Sequence, residues 1–245
     1  MAIFFLAASF LLVAASGAQA EVKVESVKLQ NILLTQNVDN IFTISEAPAA
    51  DPLEVEKAAD FASQATGVRK DFIMGLLVVE SDLGRNSGKC TYQEVEDGAN
   101  IDHQKGRLST QAWNTFNERR EIIKDIAKDL GYDYEKLSVS CNPGSAYAGT
   151  GGAMGIPQFM PDTWMEYKDR ISAIVGKENP DPWDEKDAAV AVALKLSDVS
   201  GVTEHNIYAE RNAAKMYLSG NTSSRYDWYA NQIMYWSKNY AKLLV

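Results

Sequence analysis

The spacing of apolar positions predicts a chain built almost entirely from helices. A helix-start signature stands at Asp51-Pro-Leu-Glu54, with Asp as N-cap, Pro at the first helical position and Glu at the third. That helix is expected to run to about Thr66, with Leu53, Ala58, Phe61, Ala62 and Ala65 on one face and Gly67 as its stop. In the next, only Gly75 between Phe72 and Val79 is not a large apolar residue, so core should wrap it on most faces. Residues 85–107, rich in Gly, Asn, Asp and Lys, read as an irregular surface segment. Thr110 then caps a long helix with Trp113, Phe116, Ile123, Ile126 and Leu130 at helical spacing, ending at Gly131. Further helices are expected over about residues 162–175, 184–201 and 204–218, and an aromatic one over about 225–243. No segment sustains period-2 alternation of β-branched residues, so strands should be few and the class mainly α. Along the last helix, Tyr226, Trp228, Tyr229, Tyr235, Trp236 and Tyr240 invite a sugar-stacking role. The spacing of Trp228, Tyr235 and Trp236 instead favours one buried face.

Ahead of this domain, residues 1–20 carry no charged side chain and end in the small-x-small triplet Ala18-Gln19-Ala20, the form of a secretory signal peptide. Export to the periplasm, cell wall or exterior is therefore expected. The n-region lacks Lys and Arg, which leaves open an uncleaved segment that anchors the chain to a membrane; its apolar run, about 17 residues, is at the short edge for a span. Residues 21–50 show no clear period, end in Glu46-Ala-Pro-Ala-Ala50, and read as a linker or arm. A single domain then covers 51–245, with 85–150 as an insertion of irregular chain and one helix.

The formal net charge of -9 is untouched by loss of the first twenty residues. Such a surface repels phosphate backbones, so nucleic acid is not expected as a partner, and a neutral polymer held by hydrogen bonds and stacking fits better. In an exported chain the two cysteines, Cys90 and Cys141, suggest a disulfide; two separate buried thiols are the alternative. Closing that loop would stabilise by about 4 kcal/mol on the chain-entropy model. His103 and His205 are isolated, so no metal cluster and no cofactor is implied.

Candidate chemistry centres on Glu80, which emerges where the apolar helix runs out. Partial desolvation and the negative end of the helix dipole both disfavour its charged form, so it can stay protonated near neutrality and act as a general acid. A solvated or paired glutamate is the plainer reading of the same position. Downstream, Asn142 to Trp164 contains five glycines, which let backbone approach a ligand closely but also permit ordinary turns. No phosphate-binding glycine pattern is present.

Four motifs in order give a more specific signal: Glu80-Ser81 at a helix end, Gly152-Ala-Met-Gly-Ile-Pro-Gln-Phe-Met-Pro161, Trp183-Asp184-x-x-Asp187-Ala188, and Tyr217 ahead of an aromatic terminal helix. Together, over about residues 51–243, they resemble the lytic transglycosylases with a lysozyme-like soluble-transglycosylase domain, most nearly the membrane-bound B type. The resemblance implies a lysozyme-like helical fold, peptidoglycan glycan strands as partner, and a monomer. It implies Glu80 as sole acid and then base at the bond between N-acetylmuramic acid and N-acetylglucosamine, with Ser81 positioning it. Gly152, Ala153, Met154 and Gly155 would line the cleft floor, Met154 packing on sugar. Gln158 would bond substrate, Phe159 would shape the wall, and Tyr217 would orient Glu80. The muramyl 6-hydroxyl then attacks C1 and leaves a 1,6-anhydro end.

Hydrolytic glycosidases usually need two carboxylates flanking the bond, and no convincing second one is seen; Asp82 faces away from Glu80, while Asp102, Asp162 and Asp184 could fold into the cleft. A lysozyme-type hydrolase is thus the enzymatic alternative. Leu218 stands where the family pattern has Asn, which keeps a non-catalytic peptidoglycan-binding protein in view.

Overall fold

The computed structural model describes residues 50–142 and 150–244. The expected signal segment, residues 1–20, lies outside them, as do the linker up to residue 49 and residues 143–149 of the glycine-rich stretch. Eight α-helices are found among the described residues: α1 (Pro52–Thr66), α2 (Lys70–Ser81), α3 (Tyr92–Gln104), α4 (Thr110–Leu130), α5 (Pro161–Val175), α6 (Glu185–Ser197), α7 (Ile207–Ser219) and α8 (Asp227–Trp236). Two antiparallel two-residue strands, β1 (Cys90–Thr91) and β2 (Ser138–Val139), pair Cys90 with Val139 and Thr91 with Ser138. The mainly α class is borne out, and no described helix is long and apolar enough to cross a membrane.

Most ends follow the local chemistry. Asp51 caps α1 by accepting from the Leu53 N–H, and Gly67, in the left-handed region, closes it. Its buried face is Val55, Ala58, Ala59 and Ala62, however, and Leu53 and Ala65 point to solvent. This face lies against α6, whose residues Ala188 to Leu194 are all buried. An all-round apolar helix of small residues is what a central position allows.

The segment expected to be irregular contains α3. A capping box drives it, Thr91 bonding the Glu94 N–H while the Glu94 side chain returns to the Thr91 N–H, and Tyr92, Val95 and Ala99 are buried. Its polar, glycine-bearing composition hid the helical period. Cys90 and Cys141 form a disulfide that ties the start of this insertion to its end.

The chain after α7 also differs from expectation. One long helix is replaced by a 3-10 turn (Ser224–Tyr226), α8, and a second 3-10 turn (Tyr240–Leu243). The buried face of α8 carries Tyr229, Ala230 and Ile233, whereas Trp228 and Tyr235 are each 55% exposed. Packing against α2 selects that face: a Cβ on Gly75 would lie 2.5 Å from the Ile233 carbonyl oxygen and 2.6 Å from the Ser237 nitrogen. Glycine therefore lets the two backbones touch, and Tyr229 is carried over the end of α2.

Candidate active site

Glu80 occupies the last turn of α2, and the turn beyond it is unusual. Asp82 (φ 52°), Leu83 (φ 57°) and Gly84 (φ 79°) are all left-handed, a conformation that a bulky residue such as Leu83 rarely takes. Ser81 holds the reversal. Its buried hydroxyl donates to the Leu77 carbonyl at 3.3 Å and accepts from the Gly84 N–H at 3.0 Å. Burial of Leu83 compensates the strain, and Glu80 is delivered at a fixed point rather than on a fraying end.

The Glu80 side chain lines a cavity of about 200 Å³ with Gln158, Phe159, Met160, Thr163, Lys195, Tyr217 and Leu218. Protein surrounds it closely, and burial pushes its pKa from the ordinary 4.5 to about 7. Two weaker influences oppose the rise, a hydrogen bond from Tyr229 and the charge of Lys195. The Tyr229 hydroxyl bonds Glu80 Oε1 directly. Burial keeps Tyr229 and Tyr217 far above the ordinary tyrosine pKa, with the Glu80 charge adding to it, so both remain neutral donors.

The motif Gly152 to Pro161 forms a knitted turn. Met154 and Phe159 make an antiparallel bridge, with Gln158 left-handed between them. Gln158 spends its side-chain amide hydrogens on the carbonyls of Gly155 at 2.6 Å and Ser87 at 2.9 Å. Gly155 is forced by its neighbours, because a Cβ there would sit 2.0 Å from the Pro182 carbonyl oxygen. Met154, expected on the cleft floor, is fully buried and packs in the core. Phe159 forms cavity wall and is itself 2% exposed. Gly152 and Ala153 do not line the cavity; the Ala153 N–H and C=O both bond Ser140.

Tyr217 also differs from its expected role. It lines the cavity, but its hydroxyl donates to the Pro157 carbonyl at 2.6 Å, which fastens α7 to the turn. The hydroxyl on Glu80 belongs to Tyr229 instead. The two tyrosines sit twelve positions apart and only packing of α8 on α2 distinguishes them.

None of the three aspartates that could have supplied a second carboxylate lines the cavity. Asp102 pairs with Arg107 and accepts from Asn142, Asp162 pairs with Arg119 at 2.8 Å, and Asp184 caps α6 and meets Lys177 at 3.0 Å. His103 stacks on Trp113, and among the described residues no three His, Cys, Asp or Glu side chains gather as for a metal. Lys195 escaped the sequence reading, and Tyr229 entered it only as one of the aromatic residues of the last helix, not as a partner of Glu80. For Lys195 a signal existed: it is the single charge in the apolar run from Ala188 to Leu196.

Known proteins share this arrangement of helices. The structure is similar to that of the Escherichia coli lytic transglycosylase SLT35 in complex with bulgecin A, at 18% identity over 78% of this chain and 71% of that one, with a TM-score of 0.55. A catenated lytic transglycosylase SltB1 from Pseudomonas aeruginosa matches at 17% identity, 82% and 80% coverage and a TM-score of 0.55. At these identities the likeness shows the fold. A 36 kDa muramidase/transglycosylase is 26% identical over 60% of this chain, which spans only 42% of that protein, with a TM-score of 0.45. No curated protein sequence matches. Residues 52–238 match the family model described as the transglycosylase SLT domain, and the chain belongs to that family.

Proposed function

We propose that this protein is a peptidoglycan lytic transglycosylase that cleaves the β-1,4 bond between N-acetylmuramic acid and N-acetylglucosamine, with Glu80 as the only catalytic carboxylate. The observation that carries the reading is a carboxyl on the cavity wall, the only one among the described lining residues, whose pKa burial pushes up to about 7. Protonated Glu80 gives its proton to the glycosidic oxygen as the C1–O bond breaks, and the sugar develops oxocarbenium character. The resulting carboxylate then takes the proton of the muramyl 6-hydroxyl as O6 bonds C1. Glu80 regains its acid form, the products are a 1,6-anhydro end and a free 4-hydroxyl, and no water is consumed. A single group can serve both steps because the nucleophile belongs to the substrate.

Tyr229 supports the second step, since its hydrogen bond favours the carboxylate and fixes the oxygen that bears the proton. Leu218, at 42% exposed on the cavity rim, offers shape but no polar contact. Export through residues 1–20 would bring the enzyme to its polymer.

Glu80→Gln keeps the shape and removes the proton. Activity on cell-wall sacculi should fall to no more than a few per cent, and mass spectrometry of the parent's muropeptides should show ends lighter by one water. Reducing ends would assign a hydrolase, and full activity of the variant would sink the role of Glu80.

A further inference from the structure

Lys195 is a cation with no anion in direct contact among the described residues. Every other residue from Ala188 to Leu196 in α6 is apolar and buried, yet the Lys195 ammonium is carried to the wall of the Glu80 cavity. There its Nζ lies 4.9 Å from the ring centroid of Phe159 and 4.7 Å from that of Tyr217. Among the described residues it makes no hydrogen bond and no ion pair. Glu166, Glu80 and Asp162 act on it only through space, and Asp162 is already paired with Arg119. Burial draws its pKa below the ordinary lysine value. Two aromatic faces favour a cation there and leave its N–H donors open to a further anionic contact.

As a tuner of Glu80 alone, Lys195 works against the acid, because its charge pulls that carboxyl's pKa down. A substrate anion on Lys195 would cancel the pull while the sugar is bound. Neutral N-acetylglucosamine has no such group. A muramyl residue has one, the lactyl carboxylate on C3, and exposes it as a charge only when no peptide is amide-linked to it.

We propose that Lys195 is a specificity-determining residue whose ammonium binds the free lactyl carboxylate of a peptide-free muramyl residue. The proposal rests on the glycan-cleaving reading and adds to it a preference for strands stripped of their peptides. Peptide-bearing strands put a neutral amide in the same place and leave the cation unmatched.

Binding can be read without turnover in the Glu80→Gln protein, by calorimetric titration with glycan strands of equal length that keep their peptides or have lost them to an amidase. Peptide-free strands should bind about tenfold more tightly, and the difference should shrink as salt is raised. Adding Lys195→Gln should bring the two affinities to within about twofold, while Lys195→Arg should keep most of the preference. Strands bound without preference overturn the proposal alone, as does a preference that survives Lys195→Gln. Equal loss on both strands in the Gln and Arg variants overturns it in favour of a packing role. If neither kind of strand binds and the parent releases no muropeptides, the glycan-cleaving reading itself has failed.

Discussion

Replacing Glu80 with Gln should make the fold more stable at alkaline pH even as it abolishes turnover. Burial raises the carboxyl's pKa from 4.5 to about 7 in the folded protein, and unfolding returns it to the lower value. Between the two, the folded chain holds a proton that the unfolded chain has released, so stability falls as pH climbs through this window. Over the interval from 4.5 to about 7, at about 1.4 kcal/mol per pH unit, the loss comes to about 3 kcal/mol. Gln carries no charge, fills the same space and still accepts the Tyr229 hydrogen bond, so it escapes this loss. For a domain of this size the variant should melt about 6 to 12 °C above its parent at pH values of about 8. Near pH 4.5 the gap should close, because Glu80 is then protonated in the folded chain. Circular-dichroism melts across that range read the difference directly. A gap that does not change with pH, or a variant that melts lower at alkaline pH, would refute the view of Glu80 as a desolvated acid.

Turnover should share this titration, falling as pH rises above about 7 and Glu80 loses its proton. Tyr229→Phe removes the hydrogen bond that holds the Glu80 pKa down, so the alkaline limb of the rate profile should move upward while the rate drops about tenfold or more; an unmoved limb would contradict the assignment. Gly75→Ala places a methyl against the α8 backbone and should lower the urea midpoint by the equivalent of about 1 to 3 kcal/mol, with an unchanged midpoint showing that the α2–α8 contact can open freely. Removing the disulfide with paired Ala substitutions at Cys90 and Cys141 should cost about 4 kcal/mol, since a loop spanning 51 residues is released in the unfolded chain. A calorimetric loss under one quarter of that would place the insertion's stability elsewhere.

The sequence by itself determined what depends on neighbours along the chain. Caps and stops such as Asp51, Gly67, Gly131 and Gly176 are local backbone chemistry, so most helix ends were legible. Glu80 was legible for the same reason: an apolar run that ends in a carboxylate announces desolvation without any knowledge of what provides it. The helix α3 was not, because Gly98, Asp97 and Asn100 lower propensity while a capping box and three buried side chains outweigh them. Only the tertiary structure decided which hydroxyl meets Glu80. The motif order pointed to Tyr217, but the contact of Gly75 with Ile233 and Ser237 sets α8 so that Tyr229 faces the carboxylate, while the Tyr217 hydroxyl is taken by Pro157. The same packing turned Met154 inward, committed the Gln158 amide to backbone, and set Lys195 beside the acid. Each outcome joins residues far apart in sequence, where periodicity carries no information and the close fit of backbones decides.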